Sequence, residues 1–254
     1  MIRGLYASAR GMAVEGKKQE VISNNLANSN TTGFKKDIVL VRSFSEELLA
    51  STGKGRSLPL GALSESPLLQ SIVTSFTPGL LEETGRNLDL ALTDAAFFTL
   101  QTPAGIRYTK DGSFGIDRDG FLVSSDGYQV LDVEGRAIQI LTDHVAVDED
   151  GGIWRLAGQE KQFAGGLGLA VFSAEDLQKL EKRGQNLFEA VNTAPSAQGT
   201  GQVRQGMLEK ANLEIIREMV DMISVMRIYE ANQKSLQAQD EILGKSINEV
   251  GRLR

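Results

Sequence analysis

The series Ile215, Met219, Met222, Met226, Tyr229, Gln233, Leu236, Asp240, Leu243, Ile247 and Val250 constrains this chain more than any other feature. Its steps alternate four and three residues without a break. That spacing lines one side of a helix for about five heptads and predicts a long helix that needs a helical partner. Val220, Ile223 and Ile228 widen the apolar stripe beyond a two-stranded seam, so more than one neighbour is expected. Gln233 and Asp240 are polar members of the series, and such positions set register at a cost in stability.

A partner for that helix is available at the other end of the chain. Ile2, Leu5, Ala9, Met12, Gly16 and Leu26 follow a thinner version of the same spacing, with Gln19 and Ser23 as polar members. Gly4, Gly11 and Gly16 each weaken an isolated helix by about 1 kcal/mol relative to Ala, so this helix is marginal alone. It runs into SNNLANSNTTGFKK, Ser23 to Lys36, where Asn24, Asn25, Asn28 and Asn30 crowd together. Asn competes for backbone hydrogen bonds and favours caps and turns. A buried amide is costly unless paired, so the segment is either a frayed terminus or makes contacts that one isolated chain does not supply.

Between the two ends the period changes. From Ala96 the sequence reads FFTLQT, IRYT, SFGID, FLVSS, YQVLDV and RAIQI, separated by Asp-Gly or Glu-Gly turns. Such turns between β-branched and aromatic runs predict hairpins, here with type I′ geometry. The pattern continues through HVAVDEDGGIWRL and LGLAVFS. There Ser173 with Asp176 forms a capping box for a short helix that ends near Gly184. The predicted class is α+β: a discontinuous helical coiled-coil domain from both termini, with a mostly antiparallel β domain inserted. Its parts are an N-terminal helix with the Asn-rich motif (1–42), a flexible or extended connector (43–75), the β domain (76–204) and the C-terminal heptad helix (205–254), which pairs with the N-terminal one.

The residues for catalysis are scarce. There is no cysteine and a single histidine, His144, so a zinc site is not expected, and with no GxSxG stretch a serine triad would rest wholly on His144. Asp117-Arg118-Asp119-Gly120 and Asp148-Glu149-Asp150-Gly151 imitate calcium loops, but glycine comes too soon and strands flank them. No catalytic residue, metal or cofactor is therefore expected. Residues 43–204 are net acidic, which argues against a nucleic-acid partner. No apolar run approaches the length that spans a bilayer, so no membrane insertion is expected. The opening residues also lack the continuous apolar core of a secretory signal peptide.

Taken together, three blocks resemble the bacterial flagellar axial proteins of rod and hook. The first is Asn24 to Asn28 followed by Asn30 to Lys35. The second is the middle stretch TGRNLDLALTDAAFFTLQ with its turns. The third is Asn212, Glu218-Met219-Val220, Met222-Ile223 and Arg227 to Glu230. Ser29 departs from the pattern, where an apolar residue is more usual. The short length is similar to a basal-body rod protein rather than the longer hook subunit. The tail DEILGKSINEVGRLR leans towards the proximal-rod member, with the distal-rod member close behind.

The resemblance implies a structural subunit that polymerises through its terminal helices into an axial shaft and export conduit. It implies copies of itself, neighbouring rod and hook proteins and the flagellar export apparatus as partners. It also implies a place in the periplasm-spanning rod, reached without a cleavable signal peptide. Leu5, Met12, Asn24, Asn25, Leu26, Asn28, Met219, Met222, Met226, Tyr229 and Leu236 are the expected assembly residues. Two rival readings are a secreted carbohydrate-acting enzyme and an adhesin carried on a coiled-coil stalk.

Overall fold

Turn glycines organise the middle of the chain. Gly120, Gly127, Gly135 and Gly151 all take positive φ. Each donates its N–H to the carbonyl three residues earlier, on Asp117, Ser124, Asp132 and Asp148, at 2.9–3.0 Å. The acidic residue before each glycine is absent from the left-handed region. These turns are therefore type I followed by a left-handed glycine rather than the type I′ expected above. The reason is local: an Asp side chain at the first position or a backbone carbonyl stabilises the type I turn, and only one positive φ is then required.

The computed structural model describes residues 2–42, 47–53, 56–63, 68–93, 95–157, 160–184, 186–191, 195, 197–198 and 201–251. Among them are helices α1 (Ile2–Ala27), α2 (Ala174–Leu177) and α3 (Ile215–Gly251). The chain divides into two units. One comprises Met1–Ala27, Asp37–Val73 and Glu214–Arg254, and the other Asn28–Lys36 and Thr74–Leu213. The two terminal helices thus pack together outside an inserted antiparallel β domain.

In the β unit, strand Ala96–Thr102 is central. It pairs antiparallel with Gly105–Thr109, Gln129–Val130 and Leu169–Val171. Because both of its faces are covered, it reads as a continuous apolar run instead of an alternation. Phe97 points into a cluster with Tyr108, Phe172, Leu180 and Phe188. Its ring meets those of Phe172 and Phe188 edge-on, with centroids 5.6 and 5.7 Å away. Phe98 and Leu100 point the other way, into Phe114, Leu122, Val130, Ile138 and Ile140. A second sheet of three strands, Val145–Val147, Gly152–Ala157 and Glu160–Gly166, adds Val145 and Ile153 to that core. Ser173 caps α2 as expected, accepting from the Asp176 N–H. The helix stops at Leu177, because strand Leu180–Lys182 pairs with Leu187–Ala190 before Gly184 is reached.

In the helical unit, residues 43–75, read above as an extended connector, contribute strands. Leu68–Thr74 pairs with Asp37–Arg42, and Glu47–Gly53 forms an antiparallel pair with Arg56–Leu63. At 37 residues, α3 is about 55 Å long.

Candidate assembly surface

Three contacts fix how α1 and α3 lie together. A side chain on Gly4 would collide with the Gln239 amide, one on Gly11 with the Asn232 amide, and the Ser8 hydroxyl donates to Ser235 at 3.3 Å. The two residue numbers of each pair add to 243, so the helices are antiparallel and in constant register. On α1 the buried line continues from Ser8 and Gly11 through Val14, Glu15 and Val21 to Asn25. On α3 the facing line runs through the buried Glu218 and Val225 and the half-buried Asn232 and Gln239, again in heptad steps. The seam is therefore built of glycine, serine and amides as much as of apolar groups. Glycine lets backbone and amide approach closely.

This seam is also incompletely satisfied. Glu15 is buried and uses one carboxylate oxygen on Lys18 at 2.8 Å. Its other oxygen, and the Gln239 side-chain oxygen, are buried without a hydrogen bond. Each such group costs about 1–3 kcal/mol.

The expected assembly residues divide accordingly. Met222, Tyr229 and Leu236 lie half-buried on the side of α3 that faces α1, and Leu5, Met12 and Leu26 are half-buried on α1. Met219 and Met226, the alternate heptad positions, are turned out, at 48% and 45% exposure. They join Ile215, Ile216, Val220 and Ile223 in an exposed apolar face over the first turns of α3, where Ile216 is 80% exposed. At 100° per residue this face centres roughly 130° from the buried seam. Met219 and Met226 thus lie off the intramolecular seam, displaced from it by about one residue, while Met222, Tyr229 and Leu236 flank it. The seven-residue interval between Gly4 and Gly11, with Ser8 between them, is the sequence signal for the true seam.

The Asn-rich motif behaves differently from the expectation that it waits for neighbours. Asn25 is buried, and its side chain bonds the Asp37 backbone twice: Nδ2 donates to the carbonyl at 2.9 Å and Oδ1 accepts the N–H at 3.0 Å. Asn28 accepts from the Thr31 hydroxyl at 3.2 Å and from the Thr31 N–H through its carbonyl, while Asn24 is exposed. The physical reason is that the chain turns back within a few residues and supplies the backbone groups itself.

Further along the motif, Gly33 sits at φ +65°, and a Cβ there would lie 2.4 Å from the Lys110 carbonyl carbon. The side chain of Lys35 is 1% exposed and that of Glu209 2%. Lys35 Nζ donates to Glu209 Oε1 at 2.6 Å and to the Thr77 carbonyl at 2.9 Å. The sequence marks Lys35 only as part of the Asn-rich block and of a Lys-Lys pair, and does not mark Glu209. A Lys-Lys pair reads as a solvated face, and only the distant Glu209 makes burial of one lysine possible.

Among the described residues no group of three His, Cys, Asp or Glu side chains is placed to hold a metal ion. His144 is exposed, with Asp143 3.9 Å away as its acidic neighbour. Asp117–Gly120 and Asp148–Gly151 are closed turns, as described above. No helix among the described residues is long and apolar enough to cross a membrane.

Comparison with known proteins finds matches along the chain. Residues 5–35 match the family model described as flagella basal body rod protein. Residues 91–154 match the D1 domain of flagellar hook protein FlgE/F/G, and residues 204–249 match the C-terminal region of flagellar basal body rod FlgEFG protein. The flagellar basal-body rod protein FlgG of Bacillus subtilis is 34% identical over 267 residues, covering 98% of this chain and 99% of that one. The flagellar basal-body rod protein FlgF of Caulobacter vibrioides is 32% identical over the full length of both. The flagellar hook-basal body complex protein FlhO of B. subtilis is 31% identical, also over the full length of both.

Proposed function

Because this chain belongs to the flagellar basal-body rod and hook protein family, we propose that it polymerises through the exposed apolar face at the start of α3. The protein is a structural, self-polymerising subunit of the basal-body rod, a proximal or distal member, and its role is not catalytic. Its partners are further copies of itself and other rod and hook proteins. Delivery by the flagellar export apparatus belongs to the same reading and rests on family membership.

The observation that carries the assembly reading is the face formed by Ile215, Ile216, Met219, Val220, Ile223 and Met226. Six large apolar residues in three helical turns, none covered by α1, present more greasy surface than a lone chain keeps exposed without use. Burying them stabilises a contact by about 1.5–3 kcal/mol for each fully covered side chain. Met222, Tyr229 and Leu236, with Leu5, Met12 and Leu26 on α1, would hold the shape of that face from behind. Asn24, Asn25 and Asn28 would set the end of α1.

The test is the double substitution Ile216→Asp with Met226→Asp in a motile host that lacks its own copy of the gene. Both positions are exposed, so the subunit should fold and be made at normal level. Hook–basal bodies purified from that host should lack the subunit, and the cells should not swim. Normal incorporation of the variant would refute this face as the assembly surface.

A further inference from the structure

The β unit carries an apolar feature of its own, on the outer face of the sheet formed by Val145–Val147, Gly152–Ala157 and Glu160–Gly166. The inner face of that sheet meets the core through Val145 and Ile153. Gly152 and Gly166 stand opposite each other in register, and a register shift then sets Phe163 opposite Trp154. A Cβ on Gly152 would lie 3.4 Å from Trp154 Nε1 and 3.7 Å from Phe163 Cε2, and one on Gly166 would lie 3.5 Å from Val133 Cγ2. The two glycines therefore form the floor of a shallow groove, with the Trp154 and Phe163 rings as one wall and Val133 as the other. The rings meet edge-on with centroids 5.1 Å apart, and Trp154 Nε1–H donates to Asp148 Oδ2, so that wall is fixed. Phe163 is 63% exposed, and Val133 is exposed as well.

The same unit holds a projection of matching chemistry. Leu80 is 80% exposed, as much as Ile216. Its backbone is held on both sides. The Gly79 N–H donates to Glu209 Oε1 at 2.7 Å, the Leu80 carbonyl accepts the Lys210 N–H at 2.8 Å, and Leu81–Glu83 pairs antiparallel with Met207–Glu209. A large apolar side chain on ordered backbone loses little freedom when it is captured. Glu82 and Glu83 follow it, and Lys210 offsets one of these charges by its bridge to Glu82 at 3.0 Å. At the groove, the exposed Lys161 stands two residues from Phe163 on the same side, while the acidic turn Asp148–Gly151 leads into the Gly152 end.

We propose that Leu80 of one copy seats in the Gly152–Gly166 groove of the next, a contact between β units that adds to the helical one. Groove and projection are both exposed in a single chain, so neither fills the other within it. The charges select the direction of entry, with Glu83 towards Lys161 and away from the acidic turn. One patch meeting a different patch on the next copy is a heterologous contact, and where its rotation does not close it builds an open helical array. A shaft needs that geometry. The proposal rests on the reading of the chain as a self-polymerising rod subunit and names a second surface through which its copies join.

The chain has no cysteine, so introduced cysteines report the contact without background. Glu83→Cys and Lys161→Cys lie at the rims of projection and groove, and both side chains are exposed. Hook–basal bodies are purified from cells whose only copy of the chain carries both substitutions, then treated with a short bifunctional thiol-reactive linker. Covalent dimers and higher multimers of the chain are expected, and neither single-cysteine chain should give them. Adding Leu80→Asp should abolish the multimers. A double-cysteine chain that enters the particles but stays monomeric on linking would overturn the proposal alone, as would multimers that persist with Leu80→Asp. Particles that lack even the unsubstituted chain would overturn the rod reading, and this proposal with it. A cysteine-free variant decides the case in which the cysteines themselves block entry. Lys161→Glu should lower the amount of chain in the particles several-fold, and Glu83→Lys in the same chain should restore it; no loss, or no restoration, would overturn the proposal.

Discussion

Replacing Lys35 by Met should destabilise the β unit by about 3–5 kcal/mol, the usual cost of removing one partner from a buried ion pair. Both side chains are essentially inaccessible, at 1% and 2% exposure. The substitution removes the 2.6 Å bond to Glu209 and the 2.9 Å bond to the Thr77 carbonyl. Glu209 would keep only the Gly79 N–H on Oε1, and its Oε2 already lacks a partner. With about 2–4 °C per kcal/mol for a unit of this size, the midpoint should fall by roughly 6–20 °C. Trp154 is the only tryptophan in the chain and lies in the β unit, so its fluorescence in a urea or thermal melt reads this unit alone. The double variant Lys35→Met with Glu209→Leu supplies the control. It fills the space with apolar atoms and leaves no uncompensated charge, so it should be more stable than Lys35→Met, short only of a new acceptor for Gly79. If Lys35→Met cost less than about 1 kcal/mol, or if the second substitution added to its cost, the buried-pair reasoning would be refuted.

Two glycines give opposite outcomes from the same substitution. Gly33→Ala should destabilise the β unit by more than about 2 kcal/mol in the same Trp154 melt, because strain at positive φ is joined by a clash with backbone that cannot move aside. Gly16→Ala should stabilise α1 by about 1 kcal/mol, seen as higher helicity and slower exchange, because its Cβ meets nothing within 4 Å.

Much of this architecture was legible in the sequence, and for identifiable reasons. Asp-Gly and Glu-Gly between aromatic and β-branched runs marked the hairpins, and the Ser173–Asp176 spacing marked the cap of α2. Asp176 is held below its ordinary carboxylate range by the Lys179 ammonium and then by the Ser173 hydroxyl, a local arrangement contained within seven residues. What escaped was long-range. Lys35 and Glu209 lie 174 positions apart, as do pairs like Lys36 and Asn212 at 176, and no local period connects them. A buried lysine looks like an ordinary surface lysine until its acid is known.

The heptad of α3 illustrates a different limit. Periodicity correctly located a helix but assigned its apolar line to the nearest available partner. The structure instead sets small and polar residues, Ser8, Gly11, Asn232, Ser235 and Gln239, among Met222, Tyr229 and Leu236 along the seam, and leaves Met219, Ile223 and Met226 facing out. A chain meant to remain a monomer gains by burying its most apolar line against itself. A polymerising subunit faces the reverse requirement. If the apolar line were consumed within the subunit, nothing of comparable strength would remain for the next copy. A mixed seam of small, amide and apolar residues inside and an apolar face outside divide the stripe in the way a polymer needs.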